Sequence, residues 1–192
     1  MEQNPWSTNT WINEPNNWRV DKQTLFVETD RETDFWRHTA YGFVHDSGHA
    51  LVDDFPTNTS LELDVQADYS GDFDQAGIMV WADHQHWVKC GLEFADGVLG
   101  LGAVVTNEVS DWSTAPVPDW AGAKVSLRVS RAGDALTIRA RARESAWHLV
   151  RLAPLDPGLV WKVGAHAASP SRAGLQVSFS GRRVGPADEN LH

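Results

Sequence analysis

The sequence predicts an all-β fold, two antiparallel sheets packed face to face in a jelly-roll sandwich. Apolar residues recur at every second position in run after run. Gly, Pro, Asp and Asn stand between the runs at roughly ten-residue spacing. No stretch of about a dozen residues carries a helical period.

The elements follow in order. Thr24 to Thr29 opens the series, and Ser60-Leu61-Glu62-Leu63-Asp64-Val65-Gln66 alternates strictly, which gives one buried face. Gln75 to Trp81, Trp87 to Phe94 and Val98 to Thr106 come next, the last two joined by Asp96-Gly97. Lys124 to Ser130 and Ala135 to Arg141 flank Ala132-Gly133-Asp134. Ala132 to Arg143 has a helix-friendly composition, but Leu136 and Ile138 alternate with Thr137 and Arg139, which favours a strand. Trp147 to Leu152 and Val160 to Ala165 flank Asp156-Pro157-Gly158, and Gly174 to Phe179 closes the set. Asp111 to Gly122, with Pro116 and Pro118, is expected to be a loop. One domain over residues 1–184 is expected, followed by a polar, flexible tail over 185–192.

Composition narrows the function. The 192 residues suffice for one core. Sixteen Lys and Arg against 26 Asp and Glu give a net charge of −10, which disfavours nucleic acid and anionic membrane surfaces as partners. The single cysteine, Cys90, excludes an internal disulfide, and Met-Glu-Gln-Asn-Pro-Trp has neither a basic nor an apolar leader segment, so a cytoplasmic location is expected. There is no Gly-x-Ser-x-Gly, Gly-x-Gly-x-x-Gly or P-loop pattern, so neither a nucleophilic triad nor a nucleotide cofactor is expected. Asp83-His84-Gln85-His86 reads as a turn, with Glu93 too far along for a metal set, and no metal is expected. The 10 Trp are many, and such rings pack cores or stack on sugar faces.

Several motifs in order carry a resemblance: Trp11-Ile12-Asn13-Glu14-Pro15, Thr33-Asp34-Phe35-Trp36-Arg37, Tyr41-Gly42-Phe43, Asp46-Ser47-Gly48-His49, Phe73-Asp74-Gln75-Ala76-Gly77-Ile78-Met79, Trp87-Val88-Lys89-Cys90-Gly91-Leu92-Glu93, Val105-Thr106, Ser110-Asp111-Trp112 and Ala168-Ser169-Pro170. Over roughly Trp11 to Phe179 the chain resembles the uncharacterised family labelled "regulation of enolase", in the concanavalin A-like lectin/glucanase superfamily. The resemblance implies a concanavalin A-like jelly roll and leaves the chemistry open, because that superfamily holds both sugar binders and glycoside hydrolases.

Strand parity locates a candidate site. Val88, Cys90, Leu92 and Phe94 share the oily side of their strand, whereas Trp87, Lys89, Gly91 and Glu93 share the other. Gln75, Gly77, Met79 and Trp81 form the matching row of the preceding strand. If the strands pair, Gly77 and Gly91 leave a bare floor between polar walls, as a shallow sugar site requires. Trp36, Arg37, His49, Thr106, Asp111 and Trp112, from loop motifs, are expected to complete the ligand-binding set with Gln75, Met79, Trp87, Lys89 and Glu93. The expected ligand is a carbohydrate or small polar metabolite. A glycoside hydrolase is the alternative, with Glu93 paired to Asp74, Asp34 or Asp111. The row Glu62-Leu63-Asp64-Val65-Gln66 lacks the third acid of the superfamily's glucanases. A third reading is a regulatory module with a protein partner, for which the C-terminal arginines, otherwise expected to solvate a sheet face, offer a surface.

Overall fold

The computed structural model describes residues 4–190. Its strands are β1 (Thr10–Ile12), β2 (Asn17–Asp21), β3 (Thr24–Glu28), β4 (Phe35–Arg37), β5 (Val44–Asp46), β6 (His49–Asp54), β7 (Thr59–Ala67) and β8 (Asp74–Asp83). Then come β9 (His86–Ala95), β10 (Val98–Asn107), β11 (Val109–Pro116), β12 (Val125–Ala132), β13 (Ala135–Ala142), β14 (His148–Pro154), β15 (Lys162–Ala168) and β16 (Gln176–Pro186). The first sheet has the order β1-β6-β15-β8-β9-β10-β11 and the second β14-β13-β12-β7-β16-β3-β2, with β4-β5 a separate hairpin. All pairings are antiparallel, and short turns join the hairpins β2-β3, β8-β9, β9-β10, β10-β11 and β12-β13. Asp96 and Gly97, at φ of 52° and 76°, form the two-residue turn between β9 and β10.

The core lies between the sheets and follows the alternation in the sequence. Leu61, Leu63 and Val65 of β7, Leu127 and Val129 of β12, and Leu136 and Ile138 of β13 meet Ile78, Val80, Val88 and Leu92 of β8 and β9. Each such side chain contributes about 1.5–3 kcal/mol. Cys90 points into this core, and burial pushes its thiol up to about 12, so it behaves as a small apolar group.

Two expectations are corrected. Residues 109–116 form an edge strand, β11, rather than a loop. Nearly all of it is exposed, so its sequence carries no alternation, and Pro116 sits at the last pair, where the edge tolerates a missing N–H. The C-terminal segment does not fray at Gly185. β16 continues to Pro186, the Ala187 N–H donates to Asn58 O at 3.0 Å, and the Asp188 carboxylate accepts from Arg128 at 2.8 Å and from Arg139. Residues 191 and 192 lie outside the described part. The arginines do not form one surface: Arg128, Arg141 and Arg183 surround Glu62 on the second sheet, whereas Arg151 pairs with Asp111 and Arg172 with Asp74.

Glycines set the shape of the first sheet's outer side. Gly77, Gly91 and Gly102 lie side by side across β8, β9 and β10. A Cβ at Gly91 would lie 2.3 Å from Ala76 O, and its φ of 150° also disfavours any L side chain. Gly91→Ala is therefore expected to cost at least about 2 kcal/mol in chemical denaturation. Gly97→Ala, with open space around the new methyl group, should cost only about 1 kcal/mol. Equal costs would contradict this account of the glycine row.

Candidate functional site

The register of β8 and β9 sets Gln75 opposite Glu93, Gly77 opposite Gly91, Met79 opposite Lys89 and Trp81 opposite Trp87. These are the two rows that parity turns away from the core. β10 adds Val104 beside Lys89, β11 adds Trp112 beside Val104, and β15 adds His166 beside Gly77. The outer side of the first sheet therefore gathers the expected residues, but it does not treat them alike.

One half of that face is sealed. The β4-β5 hairpin lays Phe35 and Trp36 over Met79, Trp81, Trp87 and Val104 as a second apolar cluster. The Phe35 ring is fully buried, with its centre 5.7 Å from Trp81, 5.8 Å from Trp87 and 5.6 Å from His166. Trp87 and Met79, expected against a ligand, are instead buried beneath this plug. Thr106 and Arg37 fasten it. The Arg37 N–H donates to Ser110 Oγ at 2.9 Å, Ser110 Oγ lies 2.9 Å from Thr106 Oγ1, and Arg37 Nε donates to Glu108 O at 3.0 Å. Neither residue lines the cleft beside the plug.

The other half is an open cleft of about 440 Å³. Gln75, Lys89, Glu93 and Val104 lie along its base, and Trp36, Tyr41, Phe43, Phe73, Trp112 and Pro170 supply apolar lining. Tyr41 stacks on Phe43 at 5.3 Å and 10°, and it meets Trp36 edge-on at 5.8 Å. A tight turn presents this pair: Gly42, at φ of 73°, donates its N–H to His38 O, and Trp36 Nε1 donates to Thr39 O. Tyr41, Phe43 and Trp112 are all well exposed.

A polar network underlies the cleft. Asp34 Oδ1 accepts from the Phe35 N–H at 2.7 Å, from Lys89 Nζ at 2.9 Å and from Gln75 Nε2 at 3.2 Å. Gln75 Oε1 is 3.4 Å from His166 Nε2, and His166 Nδ1 is 3.2 Å from His49 O. Burial, helped by the nearby Lys89 charge, pushes the His166 imidazole down to about 3, so the ring is neutral near pH 7. Burial raises the Glu93 carboxyl above its usual range, against the pull of Lys89 and with the push of Asp34.

The remaining expected residues lie elsewhere. His49 is buried; its Nε2 accepts from the Asp30 N–H at 3.0 Å and its Nδ1 donates to Asn13 O at 2.7 Å, which fixes the neutral tautomer in a structural role. Asp74 is fully buried and holds Arg172 at 2.6 Å and the Ser70 and Gly71 N–H groups. Asp111 is exposed and pairs with Arg151 at 2.7 Å. Of the carboxyls considered as partners for Glu93, only Asp34 lines the cleft. His84 faces Asp46, and His86 faces Asp83 at 2.8 Å, so the two imidazoles serve different carboxylates. Among the described residues no cluster of three or more His, Cys, Asp or Glu is placed to hold a metal ion. Tyr41, Phe43, Phe73 and His166 are lining or supporting residues that parity alone did not select. Tyr41-Gly42-Phe43 was visible as a motif, but only a turn at positive φ turns it over the sheet.

Two titrations give opposite expectations. The folded chain holds the Glu93 proton to higher pH than the unfolded chain, so stability falls as pH rises through the folded value. Glu93→Gln should therefore gain stability over wild type near about pH 8, with the gain vanishing below about pH 4. His166 runs the other way. The unfolded chain takes up a proton below about 6.5 and the folded chain only near about 3, so stability falls with falling pH across that window. His166→Gln should flatten this slope in denaturant titrations at several pH values; curves parallel to wild type would contradict the assignment.

The similarities agree with this architecture. The chain is 42% identical over 174 residues to "Regulation of enolase protein 1" of Saccharomyces cerevisiae, covering 91% of this chain and 87% of that protein. A crystal structure of a functionally unknown protein from the same yeast superposes with a TM-score of 0.90 at 40% identity, over 95% of this chain and 98% of that one. A mutant of the GH43 protein BlXynB from Bacillus licheniformis superposes with a TM-score of 0.68 at 15% identity, over 96% of this chain and 39% of that one, a likeness of fold. By the match of its residues 11–187, the chain belongs to the DUF1349 family, described as a protein of unknown function.

Proposed function

We propose that this protein binds a small carbohydrate or sugar-like polar metabolite in the cleft on the outer side of the first sheet. The observation that carries this reading is the pairing of exposed rings with a polar base. Tyr41, Phe43 and Trp112 offer apolar faces above Gln75, Lys89 and Glu93. A pyranose has the same two-sided character, with C–H faces for rings and hydroxyls for charged or amide groups. The cleft volume of about 440 Å³ suits one or two sugar rings.

Binding without hydrolysis is the reading favoured over a glycosidase. The other carboxyls lining the cleft are engaged, Asp34 Oδ1 with three donors and Glu32 with Arg31 at 3.0 Å, which leaves Glu93 as the lining carboxyl without a hydrogen-bond partner among the described residues. Hydrolysis needs a second carboxyl free to attack or to activate water. The word "regulation" in the name of the yeast relative is compatible with a sensor whose ligand is a metabolite.

The test is a thermal-shift and calorimetric screen of mono- and disaccharides against the full chain. A ligand at about a hundredfold over its Kd adds about 2.7 kcal/mol, or roughly 5–10 °C in Tm for a chain of this size. Trp112→Ala, at an exposed edge-strand position, should keep the fold and weaken binding about tenfold. Absence of any shift across the sugars, or a Trp112→Ala variant that binds as wild type does, would overturn the reading.

A further inference from the structure

The polar groups under the cleft are unequally satisfied. Lys89 Nζ and Gln75 Nε2 both donate to Asp34 Oδ1, and Gln75 Oε1 faces His166. Glu93 stands directly across from Gln75 and lines the same cleft, yet among the described residues its carboxyl has no hydrogen bond and no ion pair within contact distance. Its surroundings raise its pKa, so it gains more than an exposed carboxyl would from a cation brought to it.

The charges lining the cleft point the same way. Lys89 pairs with Asp34, Glu32 at the rim pairs with the exposed Arg31 at 3.0 Å, and Glu93, which Lys89 attracts only from beyond contact distance, is the lining carboxyl without an ion pair among the described residues. His45 and Tyr41 are the other titratable lining residues. Lys89 is itself buried and engaged, so an anionic sugar would have to compete with Asp34 for it while facing Glu93. A cation meets the opposite environment, a half-buried carboxylate without a contact partner among the described residues, with the exposed faces of Trp112 and the Tyr41–Phe43 pair nearby. The net charge of −10 favours its approach.

We propose that the cleft selects sugars bearing a protonated amine, with the ammonium paired to Glu93 and a sugar face against Trp112 or the Tyr41–Phe43 stack. This inference rests on the sugar-binding reading above and names the ligand class within it.

The test compares four probes on the full-length protein by calorimetry at about pH 6, where a sugar amine is charged. The probes are the β-1,4-linked glucosamine disaccharide, its di-N-acetylated form, cellobiose and glucuronic acid. The first three share a backbone and differ in the 2-substituent. The free amine should bind at least about tenfold more tightly than cellobiose, and its affinity should fall with added salt more steeply. In Glu93→Gln the amine and cellobiose should come within about a factor of two. Cellobiose or the acetylated sugar binding as tightly as the amine overturns the inference and leaves the sugar reading standing. Glucuronic acid binding tightest overturns it as well, and assigns Lys89 as an anion site. No binding by any probe overturns the sugar reading itself and this inference with it. Because the wild-type ranking is decisive alone, a poorly folding Glu93→Gln variant does not blunt the test.

Discussion

The burial of Phe35 against the outer side of the first sheet is the contact on which the rest of the site depends. Without it, Met79, Trp81 and Trp87 would form an exposed apolar strip, a surface that soluble domains avoid. With it, half of the face becomes core and the boundary of the cleft is set. Gly48 permits the approach, since a Cβ there would lie 2.4 Å from the Phe35 ring. The neighbouring Asp34 then falls within reach of Lys89 and Gln75, and the chain beyond Trp36 turns Tyr41 and Phe43 over the opening.

Magnitudes separate the two anchors of this segment. A fully buried Phe contributes about 1.5–3 kcal/mol. The Lys89–Asp34 pair is almost wholly removed from water, and desolvation offsets much of its attraction, so its net contribution to stability is small. Its value lies in geometry. It aims the Asp34 carboxylate at the base of the cleft and withholds the Lys89 charge from a ligand. Hydrophobic packing thus holds the hairpin in place, and the ion pair sets what the cleft displays.

The fold was legible because long strands that bury one face must alternate, and β7, β13 and the Val88–Glu93 part of β9 alternate in sequence through their centres, whereas β8 is apolar on both faces because both are buried. β11 was hidden because an exposed edge strand has no buried face to mark it. The site was legible in part for the same reason: parity put Gln75, Lys89 and Glu93 on one side of paired strands, and all three line the cleft. What parity cannot state is whether a row facing away from one core meets solvent or a second core. Trp87 and Met79 met the second, because three-residue strands such as β4 carry no period from which their docking could be read. His49 and Thr106 looked functional as polar residues near glycine or strand ends, and their hydrogen bonds to backbone and to Ser110 explain them as structural.

Where a sugar binds is read by an NMR titration of isotope-labelled protein with a soluble disaccharide. Saturable shifts are expected in the indole N–H of Trp112, the side-chain amide of Gln75, the backbone of Glu93 and Val104 and the Tyr41–Phe43 turn, while Trp147 and the arginines of the second sheet stay unmoved. Shifts confined to the second sheet, or an unchanged spectrum with a sugar that calorimetry shows to be bound, would contradict binding in the cleft.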